Sequence, residues 1–191
     1  MTEDFVPDLE KCLEVLANGG IILYPTDTVW GLGCDATNDQ AVQKLINLKG
    51  KQEQKGLIVL LSSEREVLHY VANPDLSVFD YLKKLSKPTT VIYNDGLGVA
   101  ENVLNSDGSI AIRLPNDVFC RHLVKRFRKP IVSTSANFHG EPTPADFSSI
   151  NPSLKNLVDY VVQYRQNELK SISSSSIIKW NSNGTATIIR P

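Results

Sequence analysis

From Leu9 to Leu16 apolar residues recur at three- and four-residue steps (Leu9, Cys12, Leu13, Leu16), and Asn18-Gly19-Gly20 follows. That spacing places one apolar stripe on a helix, and the Asn-Gly-Gly run ends it. The period then shortens. Ile21-Ile22-Leu23-Tyr24 is a brief apolar run cut by Pro25, and Thr28 to Gly33 reads as a second extended piece after a Thr-Asp turn. Ala41, Val42, Leu45, Ile46 and Leu48 restore helical spacing up to Lys49. Leu57 to Leu61 is too short for a helix and fits a buried strand. The pattern predicts further helices near Glu64 to Val71, Leu76 to Leu85 and Asp117 to Arg126. It predicts strands at Thr90 to Tyr93, Ile110 to Arg113, Ile131 to Ser135, Ser176 to Trp180 and Thr185 to Arg190.

Alternating helices and strands with no long linker imply an α/β (mixed α+β) fold on one substantial sheet, a single domain over residues 1–191. Two stretches look loose. Asp95 to Gly108 is rich in Asn, Asp and Gly, and Gln163 to Ser176 is polar and ends in a serine run from Ser173, which suggests a mobile segment beside a site.

A content of 41% hydrophobic and 21% charged residues argues against a disordered chain. With 20 Lys and Arg against 21 Asp and Glu, the net charge of -1 gives no global pull toward nucleic acid or an anionic membrane, so any anion site must be local. The acidic start lacks the apolar core of a signal peptide, and no apolar run nears the roughly 20 residues that span a bilayer. The expectation is a cytoplasmic protein without membrane contact. Cys12, Cys34 and Cys120 fit neither a disulfide framework nor a zinc knuckle and read as buried thiols; His69, His122 and His139 are scattered, and no protein-held metal is expected.

Neither the G-x-x-x-x-G-K-[ST] loop nor a full G-x-G-x-x-G is present, so chemistry must be sought in hydroxyls and cations at strand ends. Lys49, Lys51 and Lys55 cluster between a helix and a strand; they suit a polyphosphate or form a solvated surface loop. Arg113 closes the apolar run Ile110-Ala111-Ile112, so its base should be buried and needs an anion. An internal carboxylate and a carboxylate ligand satisfy that need equally well. Ser133-Thr134-Ser135-Ala136-Asn137 turns a buried strand into hydroxyls and an amide, which either donate to ligand oxygens or cap a helix.

Taken in order, these segments resemble the motifs of the YrdC/TsaC family. Tyr24-Pro25-Thr26-Asp27-Thr28-Val29-Trp30-Gly31-Leu32-Gly33 is similar to the family's first motif and Lys49-Gly50-Lys51 to its K-x-R element. Lys55-Gly56-Leu57-Ile58, Pro88-Thr89-Thr90, Arg113-Leu114-Pro115, Ser133 to Asn137 and Ile189-Arg190-Pro191 continue the match almost to the end of the chain. The resemblance implies an open twisted sheet with helices packed on it and a concave cationic cavity. It also implies synthesis of threonylcarbamoyl-AMP and pyrophosphate from L-threonine, bicarbonate and ATP, toward threonylcarbamoyladenosine in tRNA.

By position, the resemblance implies that Thr28, Arg113, Ser133 and Ser175 hold L-threonine, with Arg113 on the carboxylate. It implies that Lys49, Lys51, Lys55, Ser109, Ser135, Asn137, Thr143 and Arg190 surround ATP, with Mg²⁺ arriving on the nucleotide. No catalytic acid or base is indicated. A threonylcarbamoyl transferase complex would receive the product. Lys51 stands where Arg is usual, Ser86-Lys87 replaces Pro-Gly, His139 replaces a small residue, and Ser174-Ser175-Ser176 replaces P-S-T. The longer branch's additional domain is not expected after Pro191. Alternatives at this point are a non-catalytic binder of structured RNA, a carbamoyl-adenylating relative like the domain of hydrogenase maturation proteins, and an ATP or amino-acid sensor.

Overall fold

In the computed structural model, which describes residues 4–50, 57–168 and 173–191, the first apolar stripe forms helix α1 (Val6–Ala17). Proline in its first turn loses nothing there, and Leu9, Cys12 and Leu16 are buried on one face. Strand β1 (Ile22–Tyr24) is buried throughout and leads by a tight loop into β2 (Gly31–Asp35). Helix α2 (Asp39–Leu48) is capped by the Asn38 side chain, which accepts from the Gln40 and Ala41 amides. After β3 (Ile58–Leu60), the short helices α3 (Glu64–Tyr70) and α4 (Ser77–Leu82) lead to β4 (Thr89–Tyr93) and β5 (Ile110–Arg113). Helix α5 (Val118–Phe127), capped by Asp117, precedes β6 (Ile131–Ser135). Then come α6 (Pro152–Leu157), β7 (Tyr160–Val161), β8 (Ser176–Trp180) and β9 (Ala186–Arg190).

Among the described residues, nine strands join one mixed sheet in the order β7-β1-β2-β6-β3-β5-β4-β8-β9. The β3–β5, β4–β8 and β1–β7 pairs are parallel and the others antiparallel, which matches the mixed sheet expected from the alternation of elements. One connected apolar core runs beneath it, from Leu9 of α1 through Leu32 and Val132 to Leu123 of α5.

The second extended piece starts at Gly31 rather than Thr28. Thr26 donates its hydroxyl to the Val29 carbonyl (2.7 Å) and accepts the Thr28 amide (3.0 Å), so this backbone is satisfied within its own turn and does not join the ladder. Helix α4 stops at Leu82, with turn hydrogen bonds carrying the chain to Leu85. The pattern misses α6 and β7. The second is two residues long and has no period to read; its place depends on pairing with Ile22 and Leu23. The first part of the polar stretch after Gln163 is pinned: the Gln163 and Tyr164 amides donate to the buried Asp8 carboxylate at 2.9 and 2.8 Å.

Gly33 allows β1, β2 and β6 to approach closely. A Cβ there would lie 2.8 Å from the Tyr24 ring and 2.9 Å from the Val132 carbonyl. Gly33→Ala should therefore cost about 1–3 kcal/mol of stability in urea unfolding. Cys12, Cys34 and Cys120 are free and fully buried. Burial, with Asp35 nearby, pushes the Cys34 thiol up to about 12, and burial raises those of Cys12 and Cys120 as well. A thiol reagent at neutral pH should label the native protein slowly or not at all, and label all three cysteines once it is unfolded.

Candidate functional site

Strand register assembles the site. Arg113 of β5 pairs with Thr90 of β4, Thr90 with Ile177 of β8, and Ile177 with Arg190 of β9. Directly paired residues point to the same face of a sheet, so two arginines and a threonine share one row. On the other side of the same face, Gly31 pairs with Ser135 and Ser133 pairs with both Gly33 and Ile58. The rows meet at a cavity of about 100 Å³ whose wall includes Thr28, Gly31, Ile58, Arg113, Ser133, Ser135, Thr143, Ser175 and Arg190. Gly31 keeps the wall thin, since a Cβ there would stand 3.2 Å from the Ser133 hydroxyl.

Arg113 is 4% exposed. Its Nη1 donates to the Thr28 hydroxyl at 2.7 Å, Nη2 lies 3.5 Å from Asp27 Oδ1, and Nε is buried without a partner. Arg190 donates Nε and Nη2 to the Ser175 carbonyl at 3.1 and 2.8 Å, and the Ser175 and Thr90 hydroxyls are 2.9 Å apart. Partial burial and, behind it, the charge of Arg113 hold the Arg190 guanidinium below its ordinary range. Two guanidiniums that repel each other across a hydroxyl-lined cavity define a place for an anion. Against Ser133 lies Tyr24, whose hydroxyl burial pushes above its ordinary range.

Seven of the residues anticipated from sequence meet here: Thr28, Arg113, Ser133, Ser135, Thr143, Ser175 and Arg190. Lys49 does not line the cavity. It is 3% exposed, its ammonium donates to the Ser135 carbonyl at 2.6 Å, and its own carbonyl accepts the His139 amide, so it fastens the segment after β6. Asn137 sits behind the wall, its amide nitrogen donating to the Phe138 and Glu141 carbonyls and its oxygen buried without a partner. Ser109 does not reach the cavity. It precedes β5 at the end away from Arg113, roughly 13 Å along the strand, with its hydroxyl held by Asp107 at 2.6 Å. Lys51 and Lys55 lie outside the described residues. The sequence reading gave no role to Thr90 or Asp27, although both lie inside the motifs it quoted: Thr90 ends the Pro-x-Thr element and Asp27 sits between two threonines.

Sheet and cavity together define an α/β protein whose strand ends bring two guanidiniums and a set of hydroxyls to one cavity. A family model described as "Telomere recombination", covering Sua5, YciO and YrdC, matches residues 14–191, and the chain belongs to this family. A Saccharophagus degradans protein named Threonylcarbamoyl-AMP synthase is 40% identical over 137 residues, which is 69% of this chain and 70% of that one. In fold, the chain resembles P. abyssi Sua5 complexed with L-threonine, at a TM-score of 0.83 and 19% identity. That match covers 96% of this chain and 53% of the other, so the chain spans about half the length of that Sua5. It also resembles E. coli YciO, at a TM-score of 0.82 and 21% identity, covering 96% and 88% of the two chains.

Proposed function

We propose that this chain is an enzyme that makes threonylcarbamoyl-AMP and pyrophosphate from L-threonine, bicarbonate and ATP, a nucleotidyl transfer toward threonylcarbamoyladenosine in tRNA. The observation that carries the reading is the cavity shared by Arg113 and Arg190 and walled by hydroxyls from the ends of several strands. The relative named Threonylcarbamoyl-AMP synthase supports it from sequence.

In this scheme bicarbonate loses hydroxide to give carbon dioxide, the nitrogen of the neutral threonine amine bonds to its carbon as one C=O π pair moves onto oxygen, and the amine proton leaves with the hydroxide as water, giving N-carboxythreonine. An oxygen of the new carboxylate bonds to the α-phosphorus of ATP while the bond from that phosphorus to the bridging oxygen breaks, and pyrophosphate leaves with the electron pair. Nothing in this sequence of steps demands a protein nucleophile; position and charge neutralisation are the main tasks. Arg113 holds the threonine carboxylate, with Thr28, Ser133 and Ser175 donating around it. Ser135, Thr143 and Arg190 face the nucleotide, and Asn137 and Lys49 keep the segment after β6 in place behind them. Lys51 and Lys55 are assigned to the phosphates by family resemblance. Magnesium enters as MgATP, part of the substrate.

The same reading makes residues 1–191 one functional unit, working in the cytoplasm and passing the adenylate to a transferase complex that acts on tRNA. No described helix is long and apolar enough to cross a membrane. The test is pyrophosphate release by purified protein with MgATP and bicarbonate, with and without L-threonine, and with L-serine as the comparison. Threonine-dependent release is expected. Release that ignores threonine, or none from folded protein, rejects the scheme.

A further inference from the structure

Asp27 has no part in the scheme above, yet among the described residues its carboxylate is the one placed against Arg113, with Oδ1 3.5 Å from Nη2. The acid is 12% exposed. Its other oxygen accepts the Asn116 amide at 3.0 Å, so the carboxylate is anchored to the loop that follows Arg113 at the end of β5. Oδ1 itself is buried and makes no hydrogen bond. The contact with Arg113 is therefore longer than the roughly 2.7–2.9 Å of a charge-assisted hydrogen bond and acts through charge. Thr28, at 2.7 Å from Nη1, fixes the opposite end of the guanidinium.

We infer that Asp27 is a positioning residue: its charge holds the Arg113 guanidinium at the cavity wall and offsets part of the repulsion between Arg113 and Arg190. The inference rests on the proposed role of Arg113 in holding a carboxylate. Among the described residues, the two arginines and the aspartate set against one of them sum to one positive charge. Removing the acid adds a second positive charge and leaves Arg113 directed only by Thr28. Anion binding should then tighten while catalysis slows, because a guanidinium pushed away from Arg190 holds the substrate in the wrong place.

The experiment compares wild type with Asp27→Asn, which keeps an oxygen for the Asn116 amide while removing the charge. Inorganic sulfate and L-threonine are the probes in calorimetry, with pyrophosphate release followed in parallel. Sulfate is expected to bind Asp27→Asn roughly five- to tenfold more tightly, while kcat falls roughly tenfold or more and the melting temperature stays near that of wild type. A purely structural Asp27 would give weaker or unchanged sulfate binding together with a lower melting temperature, and that result overturns the inference. Absence of sulfate binding to both proteins also overturns it, since the cavity would then not be an anion site governed by this charge. Tighter sulfate binding in Asp27→Asn, in a protein whose wild type ignores L-threonine, would uphold the role of Asp27 and reject the threonine site instead.

Discussion

Arg113→Ala should lower kcat/KM for threonine-dependent pyrophosphate release by roughly 100- to 1000-fold, or about 3–4 kcal/mol of lost transition-state stabilisation. The side chain is buried, its Nη1 is committed to Thr28, and its partner acid is not within hydrogen-bonding distance, so its charge is directed but not saturated. Alanine removes the charge and the planar fork together. Arg113→Lys keeps the charge and loses the fork, and its rate should fall between the two. Removing Arg113 also leaves Asp27 buried without its counter-charge, so circular dichroism and a melting curve must accompany the kinetics. A folded Arg113→Ala protein with nearly wild-type kcat/KM would remove Arg113 from the substrate site.

The largest stability effect is expected at Asp8, which takes no part in lining the cavity. Its carboxylate is 5% exposed. Oδ1 accepts the Tyr160 hydroxyl at 2.6 Å and the Gln163 amide at 2.9 Å, and Oδ2 accepts the Tyr164 amide at 2.8 Å. Burial, followed by the bond to Asp8, raises the Tyr160 hydroxyl above its ordinary range. Asp8→Ala would strand three donors around α1 and should lower the unfolding free energy by about 3 kcal/mol. Asp8→Asn can leave its oxygen on Tyr160 and Gln163 while turning its amide against the Tyr164 amide, so about half that loss is expected. Urea unfolding with unchanged slopes is the measurement. A midpoint equal to wild type for Asp8→Ala would mean that these bonds only replace equally good ones to water.

Asp8 also marks a limit of reading by pattern. On a helix whose buried face is otherwise Leu9, Cys12 and Leu16, an aspartate looks like a solvent-facing residue, and nothing nearby in the chain announces its partners at Tyr160 to Tyr164. Ser109 shows the converse. It belongs to a plausible list by motif position, but it lies at the opposite end of β5 from Arg113, and alternation along a strand gives no hint of which end a ligand approaches. Thr28 sits in the expected motif, yet its backbone leaves the strand because Thr26 satisfies it locally.

What the chain carries in its own order is local. Apolar spacing encodes α1, α2, α5 and most strands, because burying a face requires a fixed period of 3.6 or 2 residues. Residue chemistry at strand ends marks Ser133, Ser135, Arg113 and the lysines as unusual, and the motif order supplies the family. Pairing is a different kind of information. Periodicity says which side of a strand is buried but not which strand lies beside it, because that choice is settled by packing between segments far apart in the chain. Only the sheet order aligns Arg113, Thr90, Ile177 and Arg190 in one row, sets Asp27 against Arg113, and turns the Lys49 ammonium to the Ser135 carbonyl.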